Sequence, residues 1–322
     1  MEFGLALPQG AHNDLQHDVI KVARQAENAG FNSLWAYERV LFPVHPASGM
    51  YGIDGLPWLP YYRYCADPLT VLTLAGAVTE TVRLGTSVLI APLHNKLHLA
   101  RTLATLDQAT GGRVTVGLGG GWSVDEYAAA GVDFASRGQA FDEVIDGLRA
   151  LLGPNPVTYR DSQIVVDHAL VSPKPVARVP ILLGGGLSKR AFRRIAEKGD
   201  GWMPVNTPGK VVADTWKQLL DHSQGVGRDP AAMRLVPVAP YTVVTDKPAG
   251  QDRELFQGTP EQLVEDFAAL AEAGAHEVVI GLDASAAGAD DLLDKATRLL
   301  DAVMAAGLLG TVPAGVSMLS PG

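Results

Sequence analysis

Charged residues follow the second predicted strand at the point where that strand ends. The apolar run Ser33 to Ala36 leads directly into Tyr37, Glu38 and Arg39. Because the carboxyl ends of parallel strands form the ligand-binding edge of α/β folds, Glu38 and Arg39 could hold a cofactor or a substrate. Arg39 could also stabilise a developing oxyanion. A surface ion pair would give the same sequence pattern, and both interpretations stay open on these residues alone.

A glycine-rich turn follows a later apolar run and precedes a predicted helix. Its residues are Gly184, Gly185, Gly186, Leu187 and Ser188. Exposed backbone N–H groups at a helix amino terminus favour a phosphate, and we expect this turn to hold one. Basic residues add positive charge nearby: Lys189, Arg190, Arg193 and Arg194. The alternative is a tight turn next to a solvated basic face.

A second glycine-rich stretch ends another predicted strand. Gly119, Gly120 and Gly121 precede Trp122. The stretch matches a dinucleotide fingerprint only loosely, because no helix starts with the required spacing. Small residues here could instead let a flat ring approach the strand end, with Trp122 as one wall. Alternatively, Trp122 only fills the rim of the fold.

Histidine residues occur in three predicted loops that follow strands: His12, His45 and His94. No pair has the spacing of a zinc site and the H-E-x-x-H pattern is absent, so we expect no metal site. Each histidine is expected to be a hydrogen-bonded loop residue. The G-x-S-x-G motif is also absent, which disfavours a hydrolase.

Strands and helices alternate along the whole chain, and this alternation must position the residues above. The segment Arg83 to Trp122 predicts strand, helix, strand and glycine loop, which is a βαβ unit. Eight such strands predict a (β/α)₈ TIM barrel with insertions, with a doubly wound open sheet as the alternative. Further strands are predicted at residues 3–8, 33–36, 179–183, 201–204, 235–244 and 277–282. We expect one domain over residues 1–306, an aromatic lid insertion at 40–66, and a flexible tail at 307–322.

Composition excludes several classes of function. The chain has 322 residues, 47% of them hydrophobic, and a formal net charge of −9 with acidic and basic residues interspersed. No basic stripe predicts nucleic-acid binding, and no apolar run predicts a membrane helix. Cys65 is the single cysteine, and no signal peptide is recognisable. These features predict a cytoplasmic protein.

Several motifs in this order resemble the luciferase-like monooxygenase superfamily, and within it the branch that uses the deazaflavin coenzyme F420. The resemblance extends from Phe3 to about Pro204, and more weakly to Ala305. It is carried by residues 30–35 (GFNSLW), 83–88 (RLGTSV), 103–107 (LATLD), 111–113 (GGR), 119–122 (GGGW), 131–134 (GVDF) with 137–138 (RG), and 199–202 (GDGW).

The resemblance implies a (β/α)₈ barrel that is usually a homodimer. It also implies that a bulged third strand with a cis peptide at Ser87–Val88 presses on the ring of the cofactor. Gly119 to Trp122 would line that ring, and Gly184 to Ser188 would bind its phosphate. One departure is that Glu38-Arg39 replaces the acid-His pair of many deazaflavin relatives. Trp122 also replaces a glutamate of the sugar-phosphate dehydrogenases, so sugar-phosphate oxidation is disfavoured and the proton donor is unassigned.

The sequence therefore predicts hydride transfer between F420 and a small, fairly apolar organic substrate held under the lid. The catalytic candidates are Glu38, Arg39 and His94. An FMN-dependent monooxygenase is the alternative. A phosphate-binding barrel without redox chemistry is a third hypothesis, which no candidate Schiff-base lysine supports, and a non-catalytic sensor is a fourth.

Overall fold

Strands and helices alternate in the computed structural model, which describes residues 1–186, 188–250 and 252–310. The strands are β1 (Glu2–Ala6), β2 (Ser33–Ala36), β3 (Arg83–Thr86), β4 (Leu89–Ile90), β5 (Val114–Gly119), β6 (Val157–Arg160), β7 (Val165–Ala169), β8 (Ile181–Gly184), β9 (Gly201–Met203), β10 (Arg234–Leu235), β11 (Val238–Ala239), β12 (Val243–Val244), β13 (Gln257–Gly258) and β14 (Glu277–Ile280). The helices are α1 (Asp18–Ala29), α2 (Pro68–Gly76), α3 (Lys96–Ala109), α4 (Val124–Ala129), α5 (Arg137–Leu152), α6 (Lys189–Lys198), α7 (Gly209–Gly225), α8 (Pro260–Glu272) and α9 (Ala289–Ala305).

The parallel strands close into a barrel. Their order is β10-β9-β8-β5-β3-β2-β1-β14-β11. Residues 234–235 pair with β9 and residues 238–239 pair with β14, so one interrupted strand joins the two ends of the sheet. The prediction of a (β/α)₈ barrel is confirmed.

Two predicted strands are interrupted. The predicted seventh strand, 235–244, divides into β10, β11 and β12 because Pro237 and Pro240 have no amide hydrogen for the ladder. β12 leaves the barrel and pairs with β13, a strand that the sequence did not predict. The third strand divides into β3 and β4, and the Ser87–Val88 peptide bond between them is cis, as the resemblance implied.

Local sequence signals set several helix boundaries. The Asp67 side chain accepts a 2.8 Å hydrogen bond from the amide of Thr70 and so caps α2. Thr259 and Gln262 form a capping box at the start of α8. Gly30 ends α1 with a φ of 103°, a conformation that favours glycine. β6 and β7 pair antiparallel and form a hairpin beside the barrel.

The barrel has an apolar layer inside it and a larger one between its strands and the helices. The inner layer consists of Trp35, Leu182, Met203, Val236, Val238 and Val279, with Val88 packed against it. The outer layer contains the buried faces of the helices, such as Leu103 of α3 and Leu148 of α5. Below the inner layer, Glu277 contacts Arg83 at 2.7 Å, and Glu2 contacts Arg83 and Arg234 at 2.7 and 2.6 Å. Apolar and ionic side chains therefore fill the closed end of the barrel.

The last described residue before position 311 lies near the amino terminus. The amide of Gly310 donates a hydrogen bond to the carbonyl oxygen of Met1 at 3.3 Å. The rest of the predicted flexible tail, residues 311–322, lies outside the described residues. No helix in the described ranges is both long and apolar enough to cross a membrane.

Candidate functional site

A cavity of about 560 Å³ opens at the carboxyl ends of the barrel strands. This volume lies within the usual range for small-molecule sites. The cavity brings together most of the predicted site residues: Glu38, Arg39, Ser87, Val88, Gly119, Gly120, Gly121, Trp122, Gly184, Gly185 and Gly186. His94 and Ser188 are not part of the described lining, and Leu187 lies outside the described residues.

Glu38 is fixed at the cavity wall by two partners. Its Oε2 accepts a 2.6 Å hydrogen bond from the amide of Ile90, and both carboxylate oxygens lie 3.0 Å from Nε2 of His94. Burial lowers the pKa of His94, but the hydrogen bond and the charge of Glu38 outweigh burial and raise it above the ordinary value. Glu38 therefore lines the cavity, and His94 supports it from behind.

Arg39 lies between a buried acid and an aromatic wall. Its Nη1 is 3.0 Å from Oε2 of Glu126, and both side chains are buried. The two atoms are not aligned for a hydrogen bond, so the contact is ionic. The guanidinium carbon lies 4.7 Å from the ring centroid of Trp122 and 5.9 Å from that of Tyr62. This arrangement holds a positive charge at the cavity edge.

Glycine is required where the strand ends approach each other. A Cβ on Gly119 would lie 2.6 Å from Cγ2 of Val88, and a Cβ on Gly184 would lie 3.3 Å from its Cγ1. Gly121 has a φ of 63°, and a Cβ there would lie 2.6 Å from Ile90. The Val88 side chain therefore lies between Gly119 and Gly184, the last residues of β5 and β8. Because these glycines have no side chains, they add no bulk to this wall of the cavity.

The turn at Gly184 to Gly186 is open to solvent. Gly184 is buried, whereas Gly185 and Gly186 are exposed. A Cβ on Gly186 would have no neighbour within 4 Å. Among the hydrogen bonds of the described residues, none uses the amide of Gly185 or Gly186. Ser188 lies beside the turn, and its hydroxyl caps α6 by accepting from the amide of Ala191 at 3.3 Å.

The basic residues that follow this turn are largely neutralised by acids. Arg190 and Arg194 both contact Asp142, at 3.1 and 2.6 Å, and Arg193 pairs with Glu197 at 3.0 Å. The sequence interpretation of a solvated basic face is therefore incomplete, since these charges form ion pairs. Any anion at the turn would depend on backbone amides more than on the arginines.

The predicted lid segment carries aromatic side chains into the cavity mouth. Two of its amides anchor it to α4: Val40 donates to Glu126 at 2.8 Å and Ala47 donates to Asp125 at 3.0 Å. Its buried members, Met50, Trp58 and Tyr62, form a cluster with Trp122 and Tyr241 from the barrel. The ring centroids of Trp58 and Trp122 are 4.4 Å apart. The lid therefore packs on the barrel.

Three residues at this site were not predicted from the sequence: Glu126, Tyr241 and Asp283. Asp283 follows β14 and accepts hydrogen bonds from the amide of Gly10 at 2.9 Å and from the side chain of Asn13 at 2.8 Å. Nε2 of His12 lies 3.3 Å from Oδ1 of Asp283 and is hydrogen-bonded to the side-chain amide of Asn13 at 3.3 Å. All three residues follow a barrel strand or the glycine loop. Their position after these segments was the sequence signal that could have identified them.

Metal chemistry has no evident site in this region. Within the part of the chain that the structure describes, no three His, Cys, Asp or Glu side chains are grouped so that they could hold a metal ion.

The chain is similar to known proteins in both sequence and structure. A family model described as luciferase-like monooxygenase matches residues 1–255. The uncharacterized protein Rv0953c of Mycobacterium tuberculosis is 34% identical over 261 residues, covering 78% of this chain and 90% of that protein. The monooxygenase RslO1 from Streptomyces bottropensis has a similar structure, with a TM-score of 0.78, 20% identity, and coverage of 96% of this chain and 100% of that chain.

A second solved structure has the same fold. It is an F420-dependent secondary alcohol dehydrogenase in complex with an F420-acetone adduct, with a TM-score of 0.72 and 20% identity. The match covers 94% of this chain and 98% of that chain. At these identities the two structures show a shared fold.

Proposed function

The chain belongs to the luciferase-like monooxygenase family, whose members are oxidoreductases, and from this premise we propose that it is an F420-dependent enzyme. It transfers a hydride between the deazaflavin and a small, fairly apolar organic substrate, and it acts as a cytoplasmic homodimer. The observation that carries the proposal is the form of the cavity. One side is an open glycine turn with free amides, and the other is an aromatic lid.

The residues present fit a planar cofactor with a phosphate. The exposed amides of Gly185 and Gly186 suit a phosphate oxygen, because nothing in the described chain occupies them. Gly119, Gly120 and Gly121 leave space beside Val88 for a flat ring. When bound, the deazaflavin would supply the carbon that gives or accepts the hydride, which no side chain can do.

The side chains of the chain itself bind, orient and move protons. Arg39 presents a fixed positive charge that would orient a substrate oxygen. His94 can hold a proton beside the Glu38 carboxylate, since the hydrogen bond and the charge of Glu38 raise the pKa of the His94 imidazole. The lid packs aromatic side chains at the cavity mouth, which would limit the access of water and strengthen these electrostatic interactions.

A flavin-dependent monooxygenase is the second candidate. It is favoured by the description of the matching family and by the similarity to RslO1, because both are described as monooxygenases. The glycine turn would also suit the phosphate of FMN.

Equilibrium titration separates them. The purified chain is titrated with F420 and with FMN, and ligand fluorescence is followed. We expect submicromolar binding of F420 and weaker binding of FMN. Submicromolar binding of FMN alone would favour the monooxygenase, and binding of neither would favour a role without redox chemistry.

A further inference from the structure

Three tyrosine hydroxyls form a continuous chain at the lid side of the cavity. The hydroxyl of Tyr241, on the barrel, is hydrogen-bonded to the hydroxyls of Tyr51 and Tyr62, both on the lid. The oxygen atoms of Tyr62 and Tyr241 are 2.8 Å apart. All three side chains line the cavity. The three tyrosines therefore border the space where a substrate would lie.

The three tyrosine hydroxyls carry one more hydrogen than the two hydrogen bonds between them use. Each phenol has a single O–H donor, and two bonds between three hydroxyls use two hydrogens. The third hydrogen, whichever tyrosine carries it, needs an acceptor outside this group of three hydroxyls. Burial raises the pKa of Tyr51 and of Tyr241 above the ordinary phenol value, so these hydroxyls stay protonated.

A second hydrogen-bond donor, the Arg39 guanidinium, lies beside Tyr62. The guanidinium carbon of Arg39 is 5.9 Å from the centroid of the Tyr62 ring. Nε of Arg39 donates to the carbonyl oxygen of Glu38 at 2.8 Å, and Nη1 faces Glu126. In the described part of the protein, no hydrogen bond uses its Nη2. The cavity thus contains unused donors and a positive charge on one side.

The walls next to these donors are flat and aromatic. Trp122 packs against Arg39, and Tyr61 stacks at 4.3 Å on Tyr62 in a tilted arrangement. Both residues line the cavity. Such walls favour a planar apolar ligand.

We propose that Tyr62 and Arg39, supported by Tyr241 and Tyr51, form a subsite for the oxygen of a conjugated carbonyl or phenolic substrate. Donors and a cation select a ligand oxygen that accepts hydrogen bonds, and the aromatic walls select a planar body around it. This subsite would define the substrate class of the proposed enzyme. Its role in catalysis rests on the proposed function. Binding at the subsite needs no cofactor.

The experiment compares two probes that share a nitrophenyl ring, on the full chain without cofactor. At mildly alkaline pH, 4-nitrophenol is an anion, whereas 4-nitroanisole presents only an ether oxygen. Binding is followed by quenching of tryptophan fluorescence, because Trp122 lies in the cavity wall. We expect the wild-type chain to bind the anion at least about tenfold more tightly than the ether.

Isosteric variants test the assignment to individual hydroxyls. Tyr62→Phe should reduce the preference for the anion about tenfold and leave binding of 4-nitroanisole unchanged. Tyr241→Phe should reduce it by a smaller factor, since it removes only the support of the donor. Tyr64→Phe, at an exposed position outside the described cavity lining, is the matched control and should behave as wild type. Thermal unfolding verifies that each variant is folded.

Three outcomes would overturn the inference: no binding of the anion, equal binding of both probes, or an unchanged preference in folded Tyr62→Phe. Failure of the F420 titration with a positive probe result would reject the proposed cofactor and leave the subsite. The reverse pattern would reject the subsite alone.

Discussion

Lys96 and Asp161 form a buried ion pair that holds the start of α3, directly after the loop that presents His94 to Glu38. The Nζ of Lys96 lies 2.5 Å from Oδ2 of Asp161, and the two side chains are 1% and 6% exposed. Burial opposes ionisation of Asp161, but the hydrogen bond from Lys96 and two backbone amides lower its pKa to about 2. Relative to the ordinary value of 3.8, this corresponds to about 2.5 kcal/mol of stability at neutral pH.

The substitution Asp161→Asn removes the charge and keeps the shape of the side chain. Its Oδ1 can still accept from the amides of Gln163 and Ile164, at 2.8 and 3.0 Å in the wild type. Lys96 then retains only Glu143, at 3.6 Å, as a counterion. We expect the free energy of unfolding to fall by about 2–3 kcal/mol at neutral pH.

The stabilisation contributed by Asp161 depends on pH. Because the folded pKa of Asp161 is below the unfolded value, its stabilisation is present above about pH 4 and is lost as the pH falls towards about 2. The difference between wild type and Asp161→Asn should therefore shrink in acid. Urea unfolding at neutral and acidic pH measures it, with Asp167→Asn in the exposed strand of the same hairpin as control. A variant within about 0.5 kcal/mol of wild type at neutral pH would refute the stabilising role of this ion pair.

Two further predictions concern the cavity wall. Glu38→Gln should lower the pKa of His94, which NMR titration of the imidazole measures, because the hydrogen bond and charge of Glu38 raise it. In the wild type, the Glu38–His94 pair stabilises the fold at pH values below the ordinary histidine pKa, and this stabilisation is lost as the pH rises through the pKa of His94 in the folded state. An unchanged His94 pKa in the variant would show that Glu38 does not raise it. Gly119→Ala should destabilise the chain by about 1–3 kcal/mol in urea unfolding, because its Cβ would meet Val88 at 2.6 Å. Gly186→Ala, which points into open space, should not, and equal effects of the two substitutions would contradict the packing described.

The barrel could be predicted from the sequence because each strand and helix has its own apolar pattern and boundary signal. The capping box at Thr259 and the glycine at Gly30 act through neighbouring residues, so local sequence patterns are enough to find them. The break of the predicted seventh strand could not be located from the sequence, because the split depends on pairing with β9 on one side and β14 on the other.

The site was predictable where residues follow strands, and unpredictable where partners are distant. The position of Glu38 and Arg39 at a strand end placed them at the cavity edge. Glu38 contacts His94, which is 56 residues later, and Arg39 contacts Glu126, which is 87 residues later. Only the folded chain shows these contacts. The same applies to Tyr241, whose hydroxyl meets tyrosines of a lid that lies far earlier in the chain.

A crystal structure of the chain soaked with oxidised F420 tests the proposed cofactor site most directly. We predict that the deazaflavin ring lies against the wall formed by Ser87, Val88 and Gly119 to Gly121. We also predict that the phosphate is bound by the amides of Gly185 and Gly186. F420 bound elsewhere, or a phosphate held away from this turn, would contradict the proposal.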